Sequence, residues 1–335
     1  MSNRVSVVIV NRDGMRYLRD CLDSLQAQSY ADFEIILVDN GSTDGSAGWV
    51  ARQFPHVRLI CNETNLGFAA ANNQAIRAST APYVVTLNND TRVDPGWLAA
   101  LVQAAENDPT VGMCASKMLF ADRPDVINST GISLDAAGIA WDRFGGERDG
   151  EAETAPVEVF GPCAGAALYR RAMLDQIGLF DEEFFAYLED VDLAWRARLA
   201  GWRCLYVPAA RVYHVHSATA VEGSSFKRRL LGRNKVWLIA KDYPMPRLLL
   251  YLPLIVLYDV AAALFTLVRR RDTSSLRGRL EGLTGLSRIW RKRRAAQALQ
   301  RRVSRNGRPW HRYLSPLAPP WRVPKRYGHL SGLHR

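Results

Sequence analysis

Short apolar segments that alternate with amphipathic segments constrain the fold more than any other feature of this sequence. Residues 5–10, 33–38 and 83–87 are rich in β-branched and aliphatic residues, and each segment ends in a polar turn. Residues 15–28 and 69–78 lie between them and carry apolar side chains at helical spacing. Strands that alternate with helices predict an α/β sheet with mostly parallel strands. Ligands of such sheets bind at the carboxyl ends of the strands, where these turns lie.

Two of the turns place a carboxylate at a strand end. Asp39 follows the second strand and can accept from a base imide or a ribose hydroxyl, whereas Asp90 could bind a hard cation that bridges diphosphate oxygens. Taken alone, residues 39–45 also fit a turn that caps the next helix. The sequence contains neither GxGxxG nor GxxxxGKS/T, so the phosphate-binding loops of classical dinucleotide-binding and P-loop proteins are missing from it.

A cluster of three acidic residues opens a predicted helix in the second half of the chain. Glu189, Asp190 and Asp192 follow the aromatic segment 184–187 and precede an apolar and basic stretch. Acidic residues are favoured in a first helical turn, so a helix cap is one interpretation. The other is a general base, because repulsion and partial burial would raise the pKa of at least one of these carboxyl groups.

Length and cysteine content indicate a large domain in a reducing compartment. A chain of 335 residues with 48% hydrophobic content can bury a full core and leaves room for an appendage. The five cysteines are scattered without a CxxC pair, which argues against a disulfide framework or a zinc site. A strand-like segment begins at residue 5, so we expect no cleavable signal peptide and a cytosolic N-terminal part.

Charge divides the chain into two unequal parts. Residues 269–335 hold 19 of the 44 Lys and Arg but only two acidic residues, which gives this tail a charge of +17, whereas residues 1–268 carry −6. A slightly acidic body with a strongly basic tail predicts an anionic partner for the tail alone. Nucleic acid and an anionic membrane surface are the two candidates.

An apolar segment before the tail favours the membrane. Residues 248–268 contain Asp259 as the only charged residue, and three arginines follow at once, as is typical of a cytoplasmic boundary. Asp259 and Pro253 disfavour a simple span, so an in-plane or re-entrant helix is equally open, and a buried helix of a soluble domain is a further alternative.

The basic tail contains a second candidate for membrane contact. Residues 276–299 have apolar residues at helical spacing opposite arginines, which predicts a basic amphipathic helix at the interface or a solvated helical hairpin. The Pro-, Trp- and Arg-rich end from residue 308 is predicted to be irregular. We therefore predict a catalytic domain at 1–242 and a membrane-associated helical region at 243–335.

Five motifs occur in order with natural spacing: VSVVIVNRDG, VDNGSTDGS, NLGFAAANNQAI, LNND and FDEEFFAYLEDVDLAWRARLAGW. Together they resemble the inverting family 2 glycosyltransferases of the GT-A fold, over about residues 4–220. Among these, the resemblance is greatest to bacterial rhamnosyltransferase-like members that act on lipid-linked glycans. The resemblance implies a mixed, mostly parallel sheet flanked by helices.

The resemblance also implies roles for particular residues. Asp190 would be the catalytic base, and Asp90 and His214 would bind a divalent metal, Mg²⁺ or Mn²⁺. His214 also fits a strand-end histidine without that role. The nucleotide-sugar would be contacted by the residues at the strand ends and the following loops: Val10, Asn11, Asp39, Asn40, Ser42, Asn65, Gly67, Asn72, Asn88 and Asn89. The acceptor side would include Gly165, Glu189 and Trp195.

The sequence departs from the family pattern at two positions. The metal-binding triplet reads Asn88-Asn89-Asp90, so only one carboxylate would face the metal, and Asn72 stands where many relatives carry an arginine. The chemistry is consistent with the resemblance, because glycosyl transfer to an alcohol needs a base for the acceptor proton and a cation for the leaving diphosphate. One base without an opposing nucleophile implies inversion.

The predicted function is transfer of rhamnose from dTDP-rhamnose to a lipid-linked or cell-envelope glycan at the cytoplasmic face of the inner membrane. The same chemistry with a UDP-sugar (GlcNAc, Gal or Glc) is the main alternative. A catalytically inactive scaffold that binds sugar nucleotides and membranes is the alternative of another class. The acidic body and the 248–268 segment disfavour nucleic acid as a partner, and a homo-oligomer is left open.

Overall fold

The computed structural model describes residues 3–215, 224–303 and 314–315 of the chain. The α-helices are α1 (Met15–Gln26), α2 (Ser46–Gln53), α3 (Phe68–Ala78), α4 (Trp97–Glu106), α5 (Arg171–Ile177), α6 (Glu189–Leu199), α7 (Ser225–Asp242), α8 (Met245–Arg270), α9 (Ser274–Thr284) and α10 (Leu286–Val303). The strands are β1 (Val5–Asn11), β2 (Phe33–Asn40), β3 (Arg58–Asn62), β4 (Tyr83–Asn88), β5 (Thr91–Val93), β6 (Val111–Phe120), β7 (Ile127–Ser129), β8 (Ile132–Asp135), β9 (Ala140–Asp142), β10 (Val157–Glu158), β11 (Ala166–Arg170), β12 (Arg203–His214) and β13 (Leu314–Ser315).

The N-terminal strands form the parallel sheet that the sequence predicts. The order is β4-β1-β2-β3, every neighbouring pair is parallel, and the predicted strands 5–10, 33–38 and 83–87 each fall within an observed one. Alternate residues of β1 enter opposite cores, since Val8 packs on one face of the sheet while Val7 and Ile9 pack on the other. Burial of both faces accounts for the nearly continuous apolar runs.

The second half of the catalytic region adds antiparallel strands to this sheet. β11 pairs antiparallel with β4 and with β6, and the long strand β12 runs parallel to β6. The short strand β5, directly after β4, pairs antiparallel with the end of β12. The result is a mixed, mostly parallel sheet with helices on both faces, which confirms the predicted fold class. This pairing brings the end of β12 to the carboxyl end of β4.

Helices α7 and α9 approach each other through glycines. A Cβ atom at Gly278 would lie 1.9 Å from the carbonyl oxygen of Arg229, and one at Gly232 would lie 2.6 Å from that of Ser275. Only glycine tolerates so close a helix contact, so the glycine face of α9 is its packed face. The leucines at 276, 280 and 283 point outward and are 40%, 54% and 53% exposed.

The segment 276–299 was predicted as a basic amphipathic helix or as a helical hairpin, and the structure has two helices there. The segment is two helices, α9 and α10, that are separated at Gly285. A Cβ at Gly285 would lie 2.9 Å from the indole nitrogen of Trp237, so close packing on α7 explains the glycine at this break. Ile289 is fully buried whereas Leu280 is exposed, so the apolar stripe of the sequence does not form one surface. The predicted irregular end lies outside the described residues, except for β13.

Helix α8 is the only described helix long and apolar enough to cross a membrane. Within Met245–Arg269, an 18-residue window has a mean hydropathy of 2.2, and 6% of that window is buried inside the protein. Asp259 faces inward, where its Oδ1 lies 2.9 Å from Lys235 Nζ on α7 and 3.1 Å from Arg279 Nη2 on α9. Burial opposes ionisation, but these two cations lower the pKa of Asp259 below its usual value. The predicted boundary after residue 242 falls between α7 and α8.

Candidate active site

The parallel register of the sheet gathers the predicted donor residues at one edge. Asn11 is paired with Asp39 between β1 and β2, and Val10 is paired with Asn88 between β1 and β4. Parallel strands in register end together, so the polar turns that the sequence shows separately form one rim. This rim is the floor of the candidate nucleotide pocket.

Asn11 is fully buried and links three of the turns. Its amide nitrogen donates to Asp39 Oδ1 at 3.0 Å and to Ser46 Oγ at 2.9 Å, and its oxygen accepts from Asn89 at 2.7 Å. Asp39 Oδ2 accepts from the backbone N–H of Ser42 at 3.1 Å, so the turn that was the alternative interpretation is present. Each carboxylate oxygen of Asp39 can accept a further hydrogen bond, and the contacts with Asn11 and Ser42 fix the direction of both oxygens.

Asn40 holds the loop that follows β3. Its amide nitrogen donates to Asn65 Oδ1 at 2.9 Å and its oxygen accepts from the N–H of Leu66 at 3.0 Å. Asn65 in turn accepts from the N–H of Gly67 at 2.9 Å. Gly67 has a φ of 86°, and a Cβ there would lie 2.5 Å from the ring of Phe185, so glycine is required for both reasons.

Asn72 is 1% exposed and donates to the carbonyl oxygen of Phe68 at 2.8 Å. The Asn72 side chain therefore makes its hydrogen bond within α3. Its contact with the nucleotide stays a prediction.

Asp90 and His214 meet where β5 pairs with β12. His214 Nε2 lies 3.2 Å from Asp90 Oδ1, while the other ring nitrogen, Nδ1, lies 2.9 Å from Asn128 Oδ1. With that oxygen as acceptor, Nδ1 carries the proton and the Nε2 lone pair faces Asp90. A histidine whose second nitrogen donates to a neighbouring oxygen is the usual arrangement of a metal ligand.

The residues around Asp90 fit a divalent cation that also needs ligands from the substrate. Asn88 Nδ2 lies 3.4 Å from His214 Nε2, whereas Asn89 turns to Asn11, so the first and third residues of the triplet share a side. No group of three or more His, Cys, Asp or Glu side chains that could hold a metal occurs within the described residues. Diphosphate oxygens and water would complete the coordination, as is common for Mg²⁺.

The three acidic residues of α6 have three different environments. Asp190 is half-buried, and its carboxylate accepts from the N–H of Val191 at 2.8 Å and of Ala164 at 3.2 Å. Burial raises the pKa of Asp190 to about 6; the Ala164 amide opposes this rise and the charge of Asp142 adds to it. Burial and then the neighbouring Asp190 raise the pKa of Glu189 well above its usual range. Asp190 is thus the group that can exchange a proton near neutral pH.

Asp192 is fully buried in ion pairs instead. Its Oδ2 lies 2.7 Å from Arg196 Nη2 and its Oδ1 lies 2.5 Å from Lys241 Nζ on α7. Burial opposes ionisation, but Arg196 and Lys241 outweigh it and lower the pKa of Asp192. Lys241 also pairs with Asp181 at 2.7 Å, and Asp181 pairs with Lys292 of α10 at 2.5 Å. Asp192 therefore joins α6 to α7 directly, and the pairs of Lys241 and Lys292 with Asp181 extend this network to α10.

The three residues predicted on the acceptor side have different surroundings in the structure. The carbonyl of Gly165 accepts from the N–H of Asn88 at 2.8 Å, so Gly165 lies beside the strand-end rim. Glu189 is 5% exposed. The side chain of Trp195 is 0% exposed in the core between Phe160 and Tyr243, and its acceptor-side role stays a prediction. A tryptophan on a short helix that is buried all round gives no sequence signal for which side it faces.

Two polar residues of the site were missed from the sequence. Asn128, in β7, touches His214, and Asn234, in α7, donates to the backbone of the segment before α6. Neither lies in a motif, because each acts through a partner that is distant in the sequence. A lone asparagine at each position was the only available signal.

The sheet, its strand-end rim and the acidic helix define a nucleotide-diphospho-sugar transferase of the GT-A fold. The chain belongs to glycosyl transferase family 2, whose sequence profile matches residues 6–178. The chain is 32% identical over 240 residues to the N-acetylglucosaminyl-diphospho-decaprenol L-rhamnosyltransferase of Mycobacterium tuberculosis, which covers 64% of this chain and 76% of the relative. It is 30% identical to an O-antigen biosynthesis protein of Myxococcus xanthus, over 64% of this chain and 18% of that protein. These findings confirm the rhamnosyltransferase-like resemblance.

Solved structures share the fold at low sequence identity. The mannosyltransferase of Pyrobaculum calidifontis in complex with GDP-Man and Mn²⁺ aligns with 100% of this chain and 82% of its own, at a TM-score of 0.52 and 18% identity. GalNAc-T7 with UDP, GalNAc and Mn²⁺ has a TM-score of 0.55 and 18% identity, over 71% of this chain and half of its own.

Proposed function

We propose that this enzyme transfers rhamnose from dTDP-rhamnose to a lipid-linked glycan, with inversion at the anomeric carbon. The observation that carries the proposal is Asp190, a half-buried carboxylate with a pKa of about 6 that the amides of Ala164 and Val191 orient. The name of the mycobacterial relative supports both the donor sugar and a lipid-linked acceptor. A base with a pKa near the working pH is suited to remove an alcohol proton as its oxygen attacks.

Asp190 would take the proton of the acceptor hydroxyl while the acceptor oxygen forms a bond to the anomeric carbon. The bond from that carbon to the diphosphate breaks in the same displacement, and the nucleoside diphosphate leaves with the electron pair. Asp39 and the rim around Asn11 would hold the base and ribose. A divalent cation at Asp90 and His214 would supply the positive charge that a leaving diphosphate needs. A single displacement inverts the anomeric centre.

A donor screen tests this proposal. The full-length enzyme is incubated with GlcNAc-diphospho-polyprenol and with dTDP-rhamnose, UDP-GlcNAc, UDP-Gal or UDP-Glc in turn, and nucleoside diphosphate release is measured. We expect release with dTDP-rhamnose that depends on the acceptor. Release with one UDP-sugar alone would mean that this sugar nucleotide, and not dTDP-rhamnose, is the donor. Binding of a donor without any release would favour an inactive scaffold. The anomeric configuration of the product, read by NMR, tests inversion.

We also propose that the region 243–335 holds the enzyme on the cytoplasmic face of an anionic membrane, and that α8 lies in one leaflet. Eleven large apolar side chains of α8 are between 37% and 72% exposed: Met245, Leu249, Leu250, Leu252, Val256, Leu257, Val260, Leu264, Phe265, Leu267 and Val268. An apolar face flanked by basic residues is typical of interfacial helices, and each Lys or Arg near an anionic surface contributes about 1 kcal/mol.

The ion pairs of Asp259 support an in-plane helix rather than a span. Lys235, its partner on α7, is adjacent to Asn234, which donates to the backbone of the segment before α6. A membrane-spanning α8 would separate Asp259 from Lys235 and leave a carboxylate in hydrocarbon, which is costly. Flotation with liposomes tests attachment, and it should weaken in high salt and on neutral lipid.

Single cysteines at residues 247 and 269, both basic positions that flank the apolar stretch, are introduced into a Cys61→Ser background to test the orientation. A membrane-impermeant thiol reagent should reach both from the outer side of liposomes. Labelling of one end only would mean that α8 spans.

A further inference from the structure

The segment that leads into α6 contains three residues with left-handed backbone conformations. Phe185 has a φ of 65°, Tyr187 of 68° and Leu188 of 65°, and none of them is glycine. Such conformations are unfavourable for large side chains and persist where the surrounding structure holds them. Leu188 directly precedes the first turn of α6, and its carbonyl accepts the N–H of Asp192 at 3.0 Å. The direction in which α6 presents Asp190 therefore depends on this segment.

One side chain from α7 lies within hydrogen-bond distance of three carbonyls of this segment, which share its two N–H donors. Asn234 is 0% exposed, and its amide nitrogen lies 3.0 Å from the carbonyl oxygen of Phe184, 2.9 Å from that of Ala186 and 2.7 Å from that of Tyr187. The neighbouring Arg233 adds a bond at 2.9 Å to the carbonyl of Phe184. A buried carbonyl that loses its donor is destabilised, so these bonds favour this one arrangement of the segment over others.

We infer that Asn234 is a positioning residue for Asp190, because it holds the left-handed segment that sets the start of α6. This inference rests on the proposed role of Asp190 as the base. It assigns a part in the transfer reaction to a helix that lies beyond the residues 6–178 matched by the family profile.

The same helix connects the base to the membrane-associated region. Lys235, the next residue, pairs with Asp259 of α8, and Arg229 pairs with Glu281 of α9 at 2.7 Å. α7 therefore contacts the segment before Asp190 through one residue and the C-terminal helices through its neighbours. The segment that leads to Asp190 and the helices α8 and α9 are thus all held by contacts with α7.

A series of substitutions at residue 234 tests the role. Asn234→Ser keeps a single hydroxyl donor on a shorter side chain, and Asn234→Ala keeps no side-chain donor. Arg229→Ala, which removes an exposed ion pair of the same helix, serves as the control. We expect kcat to fall about a hundredfold in Asn234→Ala, as for a base displaced by about 1 Å, and by less in Asn234→Ser. Donor affinity, measured by calorimetry, should fall much less than kcat, because β1 and β2 hold Asn11 and Asp39 while only Gly67 of the predicted donor residues packs on Phe185.

The pH dependence of kcat gives a readout that a loss of packing alone would not move. The titratable groups that interact with Asp190 are Asp142 of β9, Glu189 of α6, Cys163 and Tyr169, and none of them contacts Asn234 in the described hydrogen bonds. Loosening of the segment admits water to Asp190, so the acid limb of the profile should move to lower pH in both variants. Arg229→Ala should keep the wild-type limb and kcat.

Several results would overturn the inference. A folded Asn234→Ala variant with the kcat of the wild type would contradict it. If the alanine variant does not fold, a folded Asn234→Ser variant with the kcat of the wild type would contradict it equally. A loss of thermal stability and donor binding in parallel, with an unmoved acid limb, would mean that Asn234 only supports the fold. Asp190→Asn is measured beside them: full turnover in that variant would contradict the proposed base itself, whatever residue 234 does.

Discussion

His214 Nε2 lies 3.2 Å from Asp90 Oδ1, and this contact between the ends of two strands defines the candidate metal site. The pairing of β5 with β12 creates it, since His214 is the register partner of Thr91, the residue after Asp90. The chain thus offers one carboxylate and one imidazole to a cation, and Asn88 stands beside them.

Metal binding should depend on this pair. We expect transfer to require Mg²⁺ or Mn²⁺ and to stop on chelation, and Asp90→Ala should have the same effect. Asn128→Ala should weaken metal affinity about 10- to 100-fold, because it frees the ring of His214 to rotate or change tautomer. Mn²⁺ titration followed by electron paramagnetic resonance measures this without turnover. Full activity after exhaustive chelation would contradict the metal site and assign the leaving group to basic side chains.

Replacement of the proposed base should affect rate and not donor binding. We expect Asp190→Asn to lower kcat by about 10²- to 10⁴-fold, while calorimetry with the donor gives a near wild-type affinity. Asp192→Asn is not an equivalent change, because Asp192 is enclosed by Arg196 and Lys241. Near-normal turnover in Asp190→Asn would transfer the role of base to another residue.

The pH dependence of the wild-type enzyme follows from the raised pKa of Asp190. A base acts when it is deprotonated, so kcat/KM should be constant above the pKa of about 6 and fall about tenfold for each pH unit below it. Stopped assays in overlapping buffers from acid to neutral pH measure this limb. An activity that stays constant well below pH 6 would show that the titrating base is not Asp190.

The buried ion pairs of Asp192 predict a large effect on stability. Asp192→Asn leaves Lys241 and Arg196 buried with less compensation, and we expect a loss of about 3 kcal/mol in the free energy of unfolding. The lowered pKa means that the stabilisation is present at neutral pH and is lost as pH falls from about 4 towards the folded-state value. Urea unfolding measures both. Glu106→Gln, which breaks the exposed pair with Arg4, is the control and should change stability much less.

Membrane attachment should depend on the outward leucines of α8. Truncation after Asp242 would uncover Trp237, whose indole donates to Gly282, so substitutions at exposed positions are the sharper test. Each leucine that enters the interface contributes on the order of 1 kcal/mol, so Leu249, Leu257 and Leu264 changed together to Gln should reduce liposome binding by about a hundredfold. Donor binding should be unchanged. Equal partition of this variant and wild type would exclude α8 as the contact.

The sequence by itself determined the parallel strands, the polar strand ends and the acidic start of α6. These features are local, since alternation of apolar segments and the residues at their ends are read without knowledge of the partners. Asp39, Asp90 and Asp190 were found in this way, and the order of their motifs identified the family.

Only the tertiary structure decided which polar residues reach the site and which remain in the core. Asn72 donates to Phe68 within its own helix, whereas Asn128 of β7 contacts His214 and Asn234 of α7 contacts the segment before α6. Side-chain direction in a helix that is buried all round depends on neighbours from distant elements, which a single sequence does not show.

The three acidic residues of α6 show the same limit for electrostatics. Their spacing predicts a cluster, but the fold gives each residue its own environment. Glu189 is buried, Asp190 is half-buried, and Asp192 lies between Arg196 and Lys241. The pKa of each group follows from burial and from charges that other helices contribute. The sequence therefore gives the three carboxylates, and packing gives each of them its own pKa.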